Sequence, residues 1–127
     1  MPHEIVPVKN VHKAVGYSHV AKVGNQYLIA GQIAMNKDGK VVGKGDIEAQ
    51  ARQALDNLKA IVEELGGGMQ HIAKTTVLLT HAGYIPAFRA VRGEYFSDPP
   101  PASTLMVVES LASPDFLVEV EAVAVID

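Results

Sequence analysis

Hydrophobic and polar positions along this chain follow two periods. Over residues 116–126 the period is two. Phe116, Val118, Val120, Ala122, Ala124 and Ile126 share one face, which is wholly apolar. Leu117, Glu119, Glu121, Val123 and Val125 share the other, which opens with carboxylates and ends apolar. Strict alternation among β-branched residues predicts a strand, and a strand apolar on both faces needs cover on both. Over residues 47–65 the period lengthens to that of a helix. Ile47, Ala51, Ala54, Leu55, Leu58, Ile61, Val62 and Leu65 form its apolar stripe, with Arg52, Asp56, Lys59 and Glu63 on or toward the other side. Asp46 suits its N-cap, and Gly66-Gly67-Gly68 its end. A second helix is predicted over 86–96, with proline in its first turn and a stripe of Phe88, Val91 and Tyr95. Arg89 and Glu94 point outward from it. Arg92 lies about 40° from Phe88 at helical pitch, which predicts half burial.

The remaining elements are strands and turns. Ile5 to Val8 is an edge strand at best, because Pro7 has no ladder donor. Residues 10–18 read as loop. VAKV (20–23) and QYLIAGQI (26–33) flank Gly24-Asn25, a hairpin signal. Asn36-Lys37-Asp38-Gly39 is a further turn. Residues 71–80 and 103–108 read as strands, Asp98-Pro99-Pro100-Pro101 as an extended connector, and Pro114-Asp115 as a turn. The predicted order is strands, helix, strand, helix, two strands. The economical architecture is α+β, a mixed sheet with two helices packed on one face. The other face then lacks cover within one chain, so a second copy is expected there, with Glu119 and Glu121 at the edge of the interface.

Composition narrows the function classes. At 127 residues the chain is expected to form a single domain, 1–127, with 48% hydrophobic and 20% charged residues, as in an ordinary globule. A net charge of −3 gives no electrostatic reason to expect nucleic acid as a partner. There is no cysteine, which excludes disulfides, thiol catalysis and cysteine-based zinc sites. No signal peptide is legible, and no apolar run approaches the roughly 20 residues that span a bilayer. No membrane partner is expected, and the expected location is the cytoplasm.

The candidate chemistry is sparse. His3, His12, His19, His71 and His81 form no metal-binding spacing and read as surface or loop histidines, so no metal site is expected. No serine lies in a GxSxG context, and GKGD (43–46) lacks the spacing of a phosphate loop. Glu119 and Glu121, alternate residues roughly 7 Å apart on one strand face, could share acid–base work or simply be solvated at a sheet edge. Arg92 could pair on the surface with Glu94 or Asp98.

Several phrases together resemble the Rid family, also called YjgF/YER057c/UK114 or L-PSP. They are AGQIAMN (30–36), AQARQALDNLKAIVEELGG (49–67), IAKTTVLL (72–79), the helix around 88–96 and VEVEAVAV (118–125), so that the resemblance covers about residues 16–125. It implies a chorismate-mutase-like fold of the bacillus type, assembled as a homotrimer with ligand clefts between subunits. It also implies hydrolysis of reactive enamines or imines to ketoacids and ammonia, with no cofactor. Glu119 matches the family's cleft glutamate, which would orient or activate the attacking water. Tyr17 matches a cleft tyrosine, and Gly31 the glycine of an SGQ-type segment whose serine is Ala30 here.

This chain departs from the family pattern at Ser103. The active deaminases carry arginine there to hold the substrate carboxylate, whereas this chain reads PAST. Leu105 likewise replaces a small polar or cysteine residue. Arg92, taken as matching a cleft asparagine, is the candidate replacement cation, with Ser103 and Thr104 supplying polar contacts. The expectation is a deaminase with altered substrate choice, acting on a carboxylate-bearing compound of the 2-aminomuconate type. The alternative is a non-catalytic trimer that binds a small metabolite or holds client proteins. Ribonuclease activity, attributed to some relatives, fits poorly with the acidic charge.

Overall fold

The computed structural model describes residues 2–127. Its strands are β1 (Glu4–Ile5), β2 (Val20–Val23), β3 (Gln26–Gln32), β4 (Ile72–Leu79), β5 (Ala102–Val107) and β6 (Val118–Val125). Its helices are α1 (Ile47–Glu64) and α2 (Ile85–Arg92). The strands form one sheet in the order β1-β2-β3-β6-β4-β5. The β4–β5 pair is parallel and every other pair antiparallel, so the sheet is mixed as expected. The strand with two apolar faces, β6, lies in the middle, between β3 and β4.

Period two in β6 sorts its residues as predicted. Val118, Val120, Ala122 and Ala124 are buried beneath the helices with Ala51, Ala54, Leu55, Leu58, Ile61 and Val62 of α1 and Phe88 and Val91 of α2. The other face of the sheet has no cover within the protomer. Leu28 and Met106 stand 42% and 46% exposed on it. Strand register aligns Glu119 with Leu78 and Met106, and Glu121 with Thr76 and Thr104, in two rows across this face. On the edge strand β5, Val107 faces the helix side and is 47% exposed as well.

Helix α1 starts at Asp46, whose carboxylate accepts a hydrogen bond from the Ala49 N–H at 3.1 Å, and gives way at Gly66, φ +93°. Strand β1 lies at Glu4–Ile5 and not at 5–8, β3, β4 and β5 differ by one residue at their ends, and two further boundaries differ near the site. Helix α2 ends at Arg92 and not at 96, because the chain turns at Gly93 toward the proline segment. Strand β6 starts at Val118 and not at 116. The Leu117 N–H, which would begin the ladder, is taken by the Gln50 side chain instead. The expected surface pairing of Arg92 is also not found. Glu94 is held by Arg52 of α1 through two parallel hydrogen bonds of 2.8 and 2.9 Å, and among the described residues no ion pair involves Arg92.

Two amides inside the apolar stripe of α1 tie the loops to the core. The fully buried Gln50 donates to the carbonyls of Gly43 and Asp115 and accepts from the Leu117 N–H at 2.8 Å. Buried Asn57, two turns on, donates to the carbonyls of Ile33 and Met35. These bonds satisfy backbone groups that the loops would otherwise bury unpaired. Gln50→Ala should therefore cost about 2–4 kcal/mol in denaturant unfolding, since three buried backbone groups lose their partner. Asp46→Ala, which removes one exposed cap, should cost about 1 kcal/mol.

Candidate functional site

The two amides of α1 hold the ends of the two strands that carry the site. Gln50 fixes the backbone two residues before Glu119, and Asn57 fixes it from two residues beyond Gly31. Between these anchors the register of β3 against β6 shifts, between Ile29 and Gln32. The irregularity sets Gly31 directly against Glu119. A Cβ on Gly31 would lie 2.5 Å from both the carboxyl carbon and an oxygen of Glu119. The carboxyl is thus seated in the space that glycine leaves, on the open face of the sheet.

Glu119 is half-buried, and burial, reinforced by the neighbouring charge of Glu121, raises its pKa above the usual carboxylate value. Tyr17 approaches from the loop before β2. Burial, followed by the charge of Glu119, pushes its phenol above the ordinary range. A hollow of about 360 Å³ opens around Glu121, lined by residues that include Ser18, Leu28, Ala30, Lys74 and Thr76, while Glu119, Gly31 and Tyr17 do not line it. Tyr17, Ala30, Gly31 and Glu119 therefore come together on or beside one face.

The other expected residues do not join them within the protomer. Ser103 and Thr104 are consecutive on β5 and so point to opposite faces. The Ser103 hydroxyl lies on the helix side and accepts from Thr75 Oγ1 at 3.0 Å. Thr104 shares the open face with Glu119 but stands two strands away, bonded by Lys74 Nζ at 3.0 Å. Arg92 is half-buried on α2, its guanidinium 5.9 Å from the centre of the Phe88 ring, beside a hollow that also includes Arg89, Ser97 and Asp98. It belongs with Ser103 on the helix side of the sheet.

Sequence reasoning missed the polar cluster behind Tyr17. His12 and His19 are buried, not surface, histidines. Their rings meet edge to face at 4.9 Å, and the Tyr17 ring packs on His19 at 5.5 Å. His19 Nε2 lies 2.7 Å from the His12 carbonyl oxygen, His19 Nδ1 lies 3.1 Å from Gln32 Nε2, and the Tyr17 hydroxyl lies 3.5 Å from His12 Nε2. Burial, then the neighbouring His19, lowers the pKa of His12. The only sequence signal was the spacing of three polar residues, His12, His19 and Gln32, around apolar strand residues. Among the described residues no cluster of three or more metal-ligating side chains occurs, and no helix is long and apolar enough to cross a membrane.

Comparison with known proteins gives the family of the chain. The family profile described as Endoribonuclease L-PSP matches residues 8–126. A RutC family protein of Pyrococcus horikoshii is 40% identical over 123 residues, covering 95% of this chain and 96% of its own. A protein of the mite Dermatophagoides farinae named 2-iminobutanoate/2-iminopropanoate deaminase is 32% identical over 127 residues, covering 99% and 98%. The crystal structure of RidA from an Antarctic Psychrobacter superposes with a TM-score of 0.89 at 30% identity, covering 97% of this chain and 99% of that one. Matched over almost its whole length in pattern, sequence and backbone, the chain belongs to the Endoribonuclease L-PSP family, the Rid (YjgF/YER057c/UK114) proteins.

Proposed function

We propose that the protein hydrolyses an enamine or imine derived from an amino acid to a ketoacid and ammonia, in clefts between the copies of a homotrimer. The observation that carries this reading is the half-buried carboxyl of Glu119, seated against Gly31 with its pKa raised, beside Tyr17. Such a carboxylate is a better base than a solvated one. It would take a proton from water as the water oxygen bonds to the C=N carbon. The proton held by Glu119 passes to the imine nitrogen (an enamine first tautomerises to the imine), the hydroxyl proton of the tetrahedral adduct follows, and the C–N bond breaks as the carbonyl forms and ammonia leaves. The mite relative's name supports this class of reaction.

The placement of the remaining groups favours a cleft shared between copies. Glu119, Gly31 and Tyr17 lie on or beside the open face, whereas Ser103 and Arg92 lie on the helix side. One protomer cannot present both sets to a single small ligand. In the proposed trimer a neighbouring edge, with Ser103 and Arg92, faces the Glu119 pocket. Ser103 offers a hydroxyl where a cation would clamp a carboxylate, so we assign that grip to Arg92, with Thr104 a lesser polar contact. A second reading, a trimer that binds a small metabolite without turning it over, draws its support from the same uncharged Ser103.

Five outcomes are expected. Light scattering should give a particle of three times 13.5 kDa, and Leu28→Asp, a charge on the open face, should yield a smaller, inactive particle. In a coupled ammonia-release assay, Glu119→Gln should lose at least about 100-fold in kcat, while unchanged turnover would remove Glu119 from the mechanism. Native activity should fall as pH drops through the raised Glu119 pKa, because only the ionised carboxylate is a base. Folding linkage has the opposite sign. A carboxyl whose pKa rises on folding costs stability above its unfolded pKa, so Glu119→Gln should raise Tm at neutral pH and lose that gain in acid. Finally, turnover of 2-iminopropanoate should run about 100-fold below a relative with arginine at the Ser103 position, from roughly 3 kcal/mol of missing charge-assisted pairing, and Ser103→Arg should recover part of it.

A further inference from the structure

Two backbone carbonyls, which can only accept, constrain the hydrogen bonds of the buried cluster behind Tyr17. The Ala30 carbonyl can only accept, and the Gln32 Nε2 atom lies 3.1 Å from it. That contact fixes the orientation of the Gln32 amide. The same NH2 group faces His19 Nδ1 at 3.1 Å, so this nitrogen must present a lone pair. The other ring nitrogen of His19 lies 2.7 Å from the His12 carbonyl, another pure acceptor, and so carries the proton. His19 is therefore the Nε2–H tautomer, held at both ends.

His12 remains. Its Nδ1 is buried with no hydrogen-bond partner, and its Nε2 faces the Tyr17 hydroxyl at 3.5 Å, a long contact. A proton on Nδ1 would be a buried donor with nothing to receive it, at a cost of about 1–3 kcal/mol. Unpaired buried donors are rarer than under-used acceptors. A proton on Nε2 instead points at the Tyr17 oxygen. The phenol then accepts from His12, and its own O–H is turned away from the cluster.

We infer that His12 is a positioning residue: as the Nε2–H tautomer it donates to the Tyr17 oxygen and turns the Tyr17 O–H out of the cluster. Gln32 holds His19, and His19 holds His12 through its backbone carbonyl. Tyr17 thereby becomes a fixed donor to a ligand bound beside Glu119, such as one that presents a carbonyl oxygen. The ionisable groups around the phenol are His12, His19 and Glu119. The inference rests on the deaminase reading only for that ligand, since the tautomer is measurable without substrate.

Two measurements test it on the whole protein. Long-range proton–nitrogen correlation spectra of the histidine rings at neutral pH should show Nε2 protonated and Nδ1 bare in both His12 and His19. Tyr17→Phe should shift the His12 ring signals most. Absorbance titration of tyrosine, with Tyr17→Phe identifying the Tyr17 component, provides a sign. A donor on the phenol oxygen favours phenolate, so His12→Phe, which keeps an aromatic ring but removes the donor, should move Tyr17 ionisation up by about one pH unit. A protonated Nδ1 on His12, or a Tyr17 ionisation that moves down or stays put, would overturn the assignment. Loss of turnover in Glu119→Gln bears on the deaminase reading alone, so the two can fail separately.

Discussion

Two helices can shield one side of a six-stranded sheet, and the described residues hold only two α-helices. The central strand is nevertheless apolar toward both sides, with Val118, Val120, Ala122 and Ala124 closed over by α1 and α2 and Val123 and Val125 facing outward. The character of the site derives from this imbalance. The open face carries Leu28, Val125 and Met106, each exposed, with Val123 between them, and clustered exposed apolar side chains mark interaction surfaces. The carboxylates at the head of β6 stand on that same face. In the proposed trimer their environment would be set by the neighbouring copy as much as by their own chain.

The site's precision comes from polar groups placed in apolar surroundings. Gln50 and Asn57 lie seven residues apart on the buried side of α1, and each ties down the backbone next to one half of the Gly31–Glu119 contact. A helix packed by hydrophobic contact alone could slide by a fraction of a turn at modest cost. One that satisfies five backbone groups with directional hydrogen bonds cannot, because each slip leaves buried donors and acceptors unpaired. The irregularity in β3 completes the arrangement by bringing a residue without a side chain opposite the glutamate.

Electrostatics sets function against stability at Glu119. The carboxyl is half withdrawn from water and has Glu121 two residues away, and both effects disfavour its charge. Among the described residues no ion pair involves Glu119, and Arg92 lies across the sheet. That is a poor arrangement for folding and a useful one for a base, which gains reactivity as its ionised form is made less comfortable. The cluster of His12, His19 and Gln32 lies on the other side of Tyr17 and leaves one His12 nitrogen and one Gln32 oxygen unpaired, a further cost accepted near the pocket.

The sequence alone determined the elements and their layering. Period two in β6 and period 3.6 in α1 are long, and they identify the buried faces without reference to the rest of the chain. The turns at Gly24 and Gly66 and the cap at Asp46 were equally local. The family phrases singled out Glu119, Tyr17 and Gly31. Only the tertiary structure decided which of the candidates meet. The opposite directions of Ser103 and Thr104 follow from the pleat, but their distance from Glu119 depends on β6 pairing with β4, and β4 with β5. The burial of His12 and His19 in a loop, the capture of Glu94 by Arg52 and the seating of Glu119 against Gly31 likewise arise between segments far apart in the chain. Periodicity reports what a residue shares with its near neighbours along the backbone, whereas burial of a loop side chain and the choice of an ion-pair partner are set by strands and helices that arrive from elsewhere.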